Sequence, residues 1–207
     1  LLPHAESVLS PIGAAKQQIQ QQLQAHKSKH LLFSQELSVL LDQHWLTELM
    51  PTGPHWQLDF LPAHLLARQD FSQVDGVLST VTALSAHPLG IGRYIGALEL
   101  WPVRSAASHA VAEGMLQLSQ LPPRLSTLPL HMSSADPQVI LQWLMTQQGC
   151  AYLPALLVKP WLAQGKLVLL DQQVLKVPVF AHSLPNDVWP SEWQQRLQRH
   201  SALVSDL

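Results

Sequence analysis

The chain has 207 residues, 47% of them apolar and 13% charged, with a formal net charge of −2. That length buries a core as one large domain or as two of about 100 residues, and no segment approaches the ~18 continuous apolar residues of a membrane span. The 12 lysines and arginines are scattered and the pI is near 6.6, which argues against a chain that grips nucleic acid by itself. One cysteine, Cys150, excludes an internal disulfide framework and fits a reducing, cytoplasmic setting.

The opening LLPHAES lacks the basic and apolar regions of a signal peptide, and a start at Leu1 leads us to expect a fragment or processed product. Over residues 1–27, Leu2, Ala5, Leu9, Ile12, Lys16, Ile19, Leu23 and His26 recur in steps of three and four, as in a coiled-coil seam. Pro11 and Gly13 weaken its middle. Residues 1–28 therefore read as a linker or dimerisation helix, or else as a tail helix packed on its own domain.

Residues 31–33 read as a strand, with Ser34 capping a helix that runs to about Met50 and carries Glu36 in its first turn. Its apolar face is Leu37, Leu40, Leu41, Trp45 and Leu49. A turn at 51–54 leads to a strand at 56–61, a short helix at 64–69 and a strand at 74–79. This β-α-β-α-β order demands a parallel sheet with right-handed crossovers. Residues 82–92 read as loop and 93–103 as a long strand containing Gly96. A helix is expected at 109–124, ended by Pro122 and Pro123, and then a strand at 125–131.

The stretch 138–170 is the most legible. Asp136 caps a helix beginning at Pro137, with Val139, Ile140, Trp143 and Leu144 as its apolar stripe and Gly149 as a left-handed stop. A buried strand at 150–153 is broken by Pro154, a second helix runs to Gln164, Gly165 ends it, and 166–170 is another strand. One more strand follows at 175–182. Trp189, Trp193, Leu197, His200 and Val204 mark a C-terminal helix.

The run QVILQWLMTQQGCAYLPALLVKPWLAQGKLVLL, with Val74-Asp75-Gly76-Val77-Leu78 earlier, resembles the effector-binding domain of LysR-type transcriptional regulators. LLPHAES resembles the opening of that family's linker helix, and together with GCAYLP it is most similar to the flagellar-repressor (HdfR-like) branch. The resemblance implies an α/β fold of two Rossmann-like lobes joined by two crossover strands, the periplasmic-binding-protein-like type II arrangement. The linker helix would span 1–28 and the effector-binding domain 29–207, with lobe 1 at about 29–104 and 180–207 and lobe 2 at about 105–179. It also implies a homodimer or homotetramer in which residues 35–50 of one subunit pack on 155–164 of its partner, with Leu40 and Trp161 as contacts. DNA would be contacted only through an N-terminal winged helix-turn-helix that these residues do not include.

In open sheets of this kind, ligands sit beyond strand C-termini, where the following helix starts offer free N–H groups. Three such junctions carry hydroxyls or amides: Ser34 and Gln35, Ser79 and Thr80, and Ser133 and Ser134. The resemblance assigns hydroxyls at the first and third to an effector carboxylate, so a small anionic effector is expected. Asp136 is expected to face its own helix, and Arg93 or Arg104 to serve as countercharge or as surface residues. No metal or cofactor is expected: His26 and His30 stand beside Lys27 and Lys29, and Gly90-Ile-Gly-Arg is too short for a dinucleotide loop. No Gly-x-Ser-x-Gly elbow or nucleophile–base set suggests an enzyme. The alternative function is a solute-binding protein of the same fold serving a transporter.

Overall fold

The computed structural model describes residues 29–40, 56–66, 69, 71–82, 84, 92–107, 112–118, 120, 122–147, 149–170 and 173–183. The N-terminal seam, the helix expected beyond Leu40, the turn at 51–54, most of the loop before Gly92 and the C-terminal helix lie outside these residues.

Strand β1 (Lys29–Ser34) has Leu31, Leu32, Phe33 and Ser34 all buried. A run without polar alternation is what a strand covered on both faces requires. It pairs in parallel with β2 (Trp56–Leu61) on one side and β3 (Gly76–Ser79) on the other. β2 is outermost, and its side chains alternate between half-buried and exposed over most of its length. A short helix, α1 (Ala63–Leu66), follows it.

Strand β4 (Arg93–Ser105) joins the two halves. At about 3.3 Å per residue its length is roughly 43 Å, long enough to serve two lobes. Residues 93–100 pair antiparallel with β9 (Leu175–Ser183), which itself pairs with β3. Residues 100–104 pair with β7 (Cys150–Pro154), and 103–105 with β8 (Leu167–Leu169). The order is β2-β1-β3-β9-β4-β7-β5-β6, with β8 branching from β4. Here β5 is Glu113–Leu116 and β6 is Leu130–Ser134, and they run parallel to each other.

Helix α2 (Pro137–Gln147) starts as expected, with Asp136 Oδ1 accepting the Gln138 N–H at 2.8 Å. It buries Ile140, Leu141 and Leu144, while Val139 turns outward at 40% exposure. Helix α3 (Ala155–Ala163) stops at Gly165, whose φ of 67° is the left-handed conformation that glycine adopts freely.

Three expectations need correction. Where a helix was expected at 109–124, the described residues form β5 followed by an irregular stretch. The edges of β6 and β7 claim Glu113 to Leu116 as a ladder partner, so tertiary pairing overrides local helical preference. The strand expected at 125–131 begins at Leu130. Leu125 is buried because its N–H donates to Glu113 Oε1 at 2.8 Å, and Arg124 and Ser126 donate to Oε2 at 2.8 and 3.3 Å. Gly149 does not have a positive φ. Its lack of a side chain makes room for Trp143, which also lies over Gly114.

One core cluster runs through both halves, bringing Phe33, Leu37, Leu40 and Leu78 together with Leu116, Leu118, Leu125 and Tyr152. A second lies under α2 and α3, around Trp101, Val103, Ile140, Leu144 and Val158. Leu40 is 2% exposed within its own chain, so it is not available as the subunit contact expected of it.

Gly149→Ala would place a Cβ 2.4 Å from the Trp143 ring. We expect a loss of about 1–3 kcal/mol in urea unfolding, the usual cost of overpacking. Trp143→Phe in the same chain should recover part of it, because the two changes share one contact.

Candidate ligand-binding site

A cavity of about 430 Å³ opens between the halves, within the size range of small-molecule sites. Thr80, Val81 and Thr82 line it from the first lobe, and Leu118, Gln120, Pro122 and Pro123 from the second. Its remaining wall is Leu175, Lys176, Val177 and Pro178 of β9. All three walls follow from the sheet. β3 ends at Ser79 and releases the chain, β9 continues past it, and the Glu113 carboxylate holds the 124–126 segment beyond the two prolines.

Of the first two expected junctions, Thr80 lines this cavity, and Ser34, Gln35 and Ser79 are not among its lining residues. Ser34 ends β1 and is fully buried, and half-buried Gln35 opens the 3₁₀ helix Gln35–Leu40. Within that helix Glu36 is also fully buried, and Oε1 accepts the Thr80 hydroxyl at 2.5 Å. Burial pushes the Glu36 carboxyl up from its ordinary value, against the opposing pull of the Thr80 hydroxyl, its own backbone N–H and the Ser34 hydroxyl. Oε2 is left without a well-formed hydrogen bond. Ser79 is held in its own turn. Its hydroxyl donates to the Val81 carbonyl at 3.0 Å, accepts the Val81 N–H at 3.1 Å and lies 3.3 Å from His182 Nε2.

The third junction does not line this cavity. Ser133 is exposed and Ser134 half-buried on β6, where Ser134 Oγ accepts the Asp136 N–H at 3.1 Å. Helix α2, which follows that turn, does pack on the 3₁₀ helix. Neither expected arginine lines the cavity. Arg93 is exposed, and Arg104 Nη1 donates to the Ser105 carbonyl at 3.4 Å. Among the described residues, the cation in the cavity wall is Lys176, whose Nζ lies 3.3 Å from buried Glu99 Oε1.

Glu36 and Lys176 are thus the charged groups that sequence reasoning missed. The signal for Glu36 was its place beside Leu37 and one turn from Leu40, on a face the core absorbs. For Lys176 it was the period-2 alternation of Leu175, Val177 and Val179, which sets Lys176 and Pro178 on the other face.

Other features are accounted for by their surroundings. His30 Nε2 lies 2.7 Å from Asp59 Oδ2, and its Nδ1 lies 3.2 Å from the Gln73 carbonyl. Burial raises the Cys150 thiol, as befits a packed, unreactive sulfur. Among the described residues no group of three or more side chains is arranged to hold a metal, and no helix is long and apolar enough to cross a membrane.

No protein-family model matches the chain, and a sequence search of curated proteins gives no match. Solved structures do match. The regulatory domain of HypT from Salmonella typhimurium, solved with bromide bound, superposes with a TM-score of 0.61 at 16% identity, covering 87% of this chain and 97% of that one. Vibrio fischeri DarR, solved in complex with DNA, gives 0.58 at 16% identity over 95% of this chain and 75% of its own. Full-length LysG from Corynebacterium glutamicum gives 0.60 at 12% identity over 97% and 75%. The two-lobed mixed α/β fold of this chain is that of the regulatory domains of LysR-type transcriptional regulators.

Proposed function

We propose that the chain is the ligand-sensing and oligomerising part of a LysR-type transcriptional regulator, acting in the cytoplasm and not as an enzyme. Residues 1–28 would be the linker helix and 29–207 the effector-binding domain, with DNA contacted by a winged helix-turn-helix beyond these residues. Assignment to the flagellar-repressor branch rests on LLPHAES and GCAYLP alone. The overlap with full-length LysG, larger than that with the isolated HypT domain, supports a segment lying outside the effector-binding domain.

The observation that carries the reading is the cavity walled by both lobes and by β9. A ligand touching all three has an affinity that depends on how the lobes sit, so binding favours one arrangement over another. We take the effector to be a small anion. Thr80 and Lys176 meet it first, with Ser34, Gln35 and Ser79 behind them, while Ser133 and Ser134 lie off the cavity on β6. The HypT domain solved with bromide and a LysG structure solved with arginine as effector are consistent with small charged ligands in this fold.

Melting-temperature shifts with benzoate, pyruvate and bromide, against spermidine as a cationic control, test the site. At least one anion should stabilise the chain and spermidine should not. Lys176→Gln should weaken the anion about tenfold or more, the equivalent of roughly 1.5–3 kcal/mol for a hydrogen bond to a charged group. Binding unchanged in both Lys176→Gln and Thr80→Val would place the ligand elsewhere.

The proposed assembly sets residues 35–50 of one subunit on α3 of another. Half-buried Leu156, Leu157, Trp161 and Leu162 of α3 would supply the contact, burying more than about 1,000 Å² in total. Light scattering at tens of micromolar should give at least a dimer, and a strictly monomeric mass would refute the assembly. The same sample should show no saturable binding to duplex DNA at about 150 mM salt, for want of clustered cations.

A further inference from the structure

We infer that Glu36 sets the hydrogen-bond polarity of the cavity wall through Thr80, so that anion binding is coupled to uptake of one proton by Glu36. This rests on the cavity being the effector site. A threonine hydroxyl has one proton to give. With Glu36 ionised, that proton is committed to Oε1, and Thr80 can only accept from a ligand. With Glu36 protonated, the carboxyl can donate to Thr80 Oγ1 instead, and the Thr80 proton is free to turn to an anion in the cavity it lines. The proton comes from solvent and stays on the carboxyl, and no covalent bond changes except O–H.

Two features of the site favour this exchange. Oε2 lacks a well-formed hydrogen bond, so an ionised Glu36 that lost Thr80 to a ligand would be a fully buried, poorly satisfied charge. The carboxyl is also already raised, chiefly by burial, which favours its neutral form. The elements packed on the 3₁₀ helix are β1, β2, α2 and α3. Their described titratable side chains are His30, Asp59 and Lys159. His30 and Asp59 are bonded to each other, and Lys159 lies 5.7 Å from the Trp101 ring centre. None of the three is among the groups that shift Glu36.

Glu36 is therefore a positioning residue, and its signature is a pH profile. Isothermal titration of benzoate, pyruvate and bromide, all ionised above about pH 6, is to be run between about pH 6 and about pH 8. The parent chain should bind the stabilising anion more tightly as pH falls, by up to tenfold per pH unit, the limit for one linked proton. Glu36→Gln keeps a permanent donor to Thr80. It should bind at all pH values about as tightly as the parent does at the acid end, with a flat profile. Thr80→Val should bind weakly and flatly, and Thr80→Ser should restore the slope.

A ligand-free measurement separates this coupling from a merely damaged fold. A carboxyl whose folded-state pKa is raised contributes stability below its unfolded pKa and loses it as pH rises through the folded value. Denaturant unfolding of the parent should thus weaken with rising pH above the ordinary carboxyl range, and Glu36→Gln should remove that loss. Equal pH slopes in the parent and Glu36→Gln, with anion still bound, overturn the coupling and leave the cavity reading intact. No anion bound at any pH overturns both.

Discussion

The structure depends on β4 being shared. One 13-residue strand gives its first half to β9 and its second to β7 and β8. Every backbone group it offers must be paired or solvated, so both lobes are registered against a single ruler. The cavity is the place where this ruler is shared but its neighbours are not. β3 has ended, β5 belongs to the far side, and the gap between them stays open. The core nevertheless continues through the junction, since Leu37 and Leu40 of the first lobe pack in one cluster with Leu116, Leu118 and Leu125 of the second. Relative movement of the lobes therefore has to slide or part apolar surface, which favours a few discrete arrangements over a continuum.

The charges are arranged around that apolar joint in pairs. Lys176 faces Glu99, Arg124 faces Glu113 and His30 faces Asp59. Glu113 is the most fully satisfied, with three donors on its two oxygens, and its work is to hold a loop. Glu36 differs. It is buried as deeply, but it has a hydroxyl for a partner and no cation. A buried carboxyl without a countercharge is costly to ionise, and such groups concentrate where proteins bind or respond to something.

Elements with strong local signals were legible from sequence. Asp136-Pro137, Gly165 and the unbroken apolar runs of β1 and β7 each state their structure within a few residues, and the parallel pairing of β1, β2 and β3 followed from the alternation of strand and helix signals. The stretch 109–124 failed because AVAEGMLQL is locally a fair helix, and only the edges of β6 and β7 make it a strand. Gly149 was read as a conformational residue, yet its constraint is steric and comes from Trp143, six residues earlier on another element. In the candidate site, Glu36 and Thr80, which follow the ends of β1 and β3, are hydrogen-bonded to each other, and those strand ends were found by topology. The charges that give the site its character were not, because the burial of Glu36 and the cross-strand pairing of Lys176 with Glu99 depend on contacts between residues 44 and 77 positions apart.

Leu175 to Pro178 give the cavity one property beyond polarity. Here β9 has β4 on one side and, because β3 stops opposite Phe180, no strand among the described residues on the other. This is a bare sheet edge facing the cavity, the kind of surface on which an extended peptide adds itself as a new strand. Pro178 has no N–H to offer such a strand, and Lys176 sets a charge beside it. Both features disfavour main-chain docking and edge-to-edge aggregation on this wall, and neither obstructs compact molecules that bind through their own polar groups.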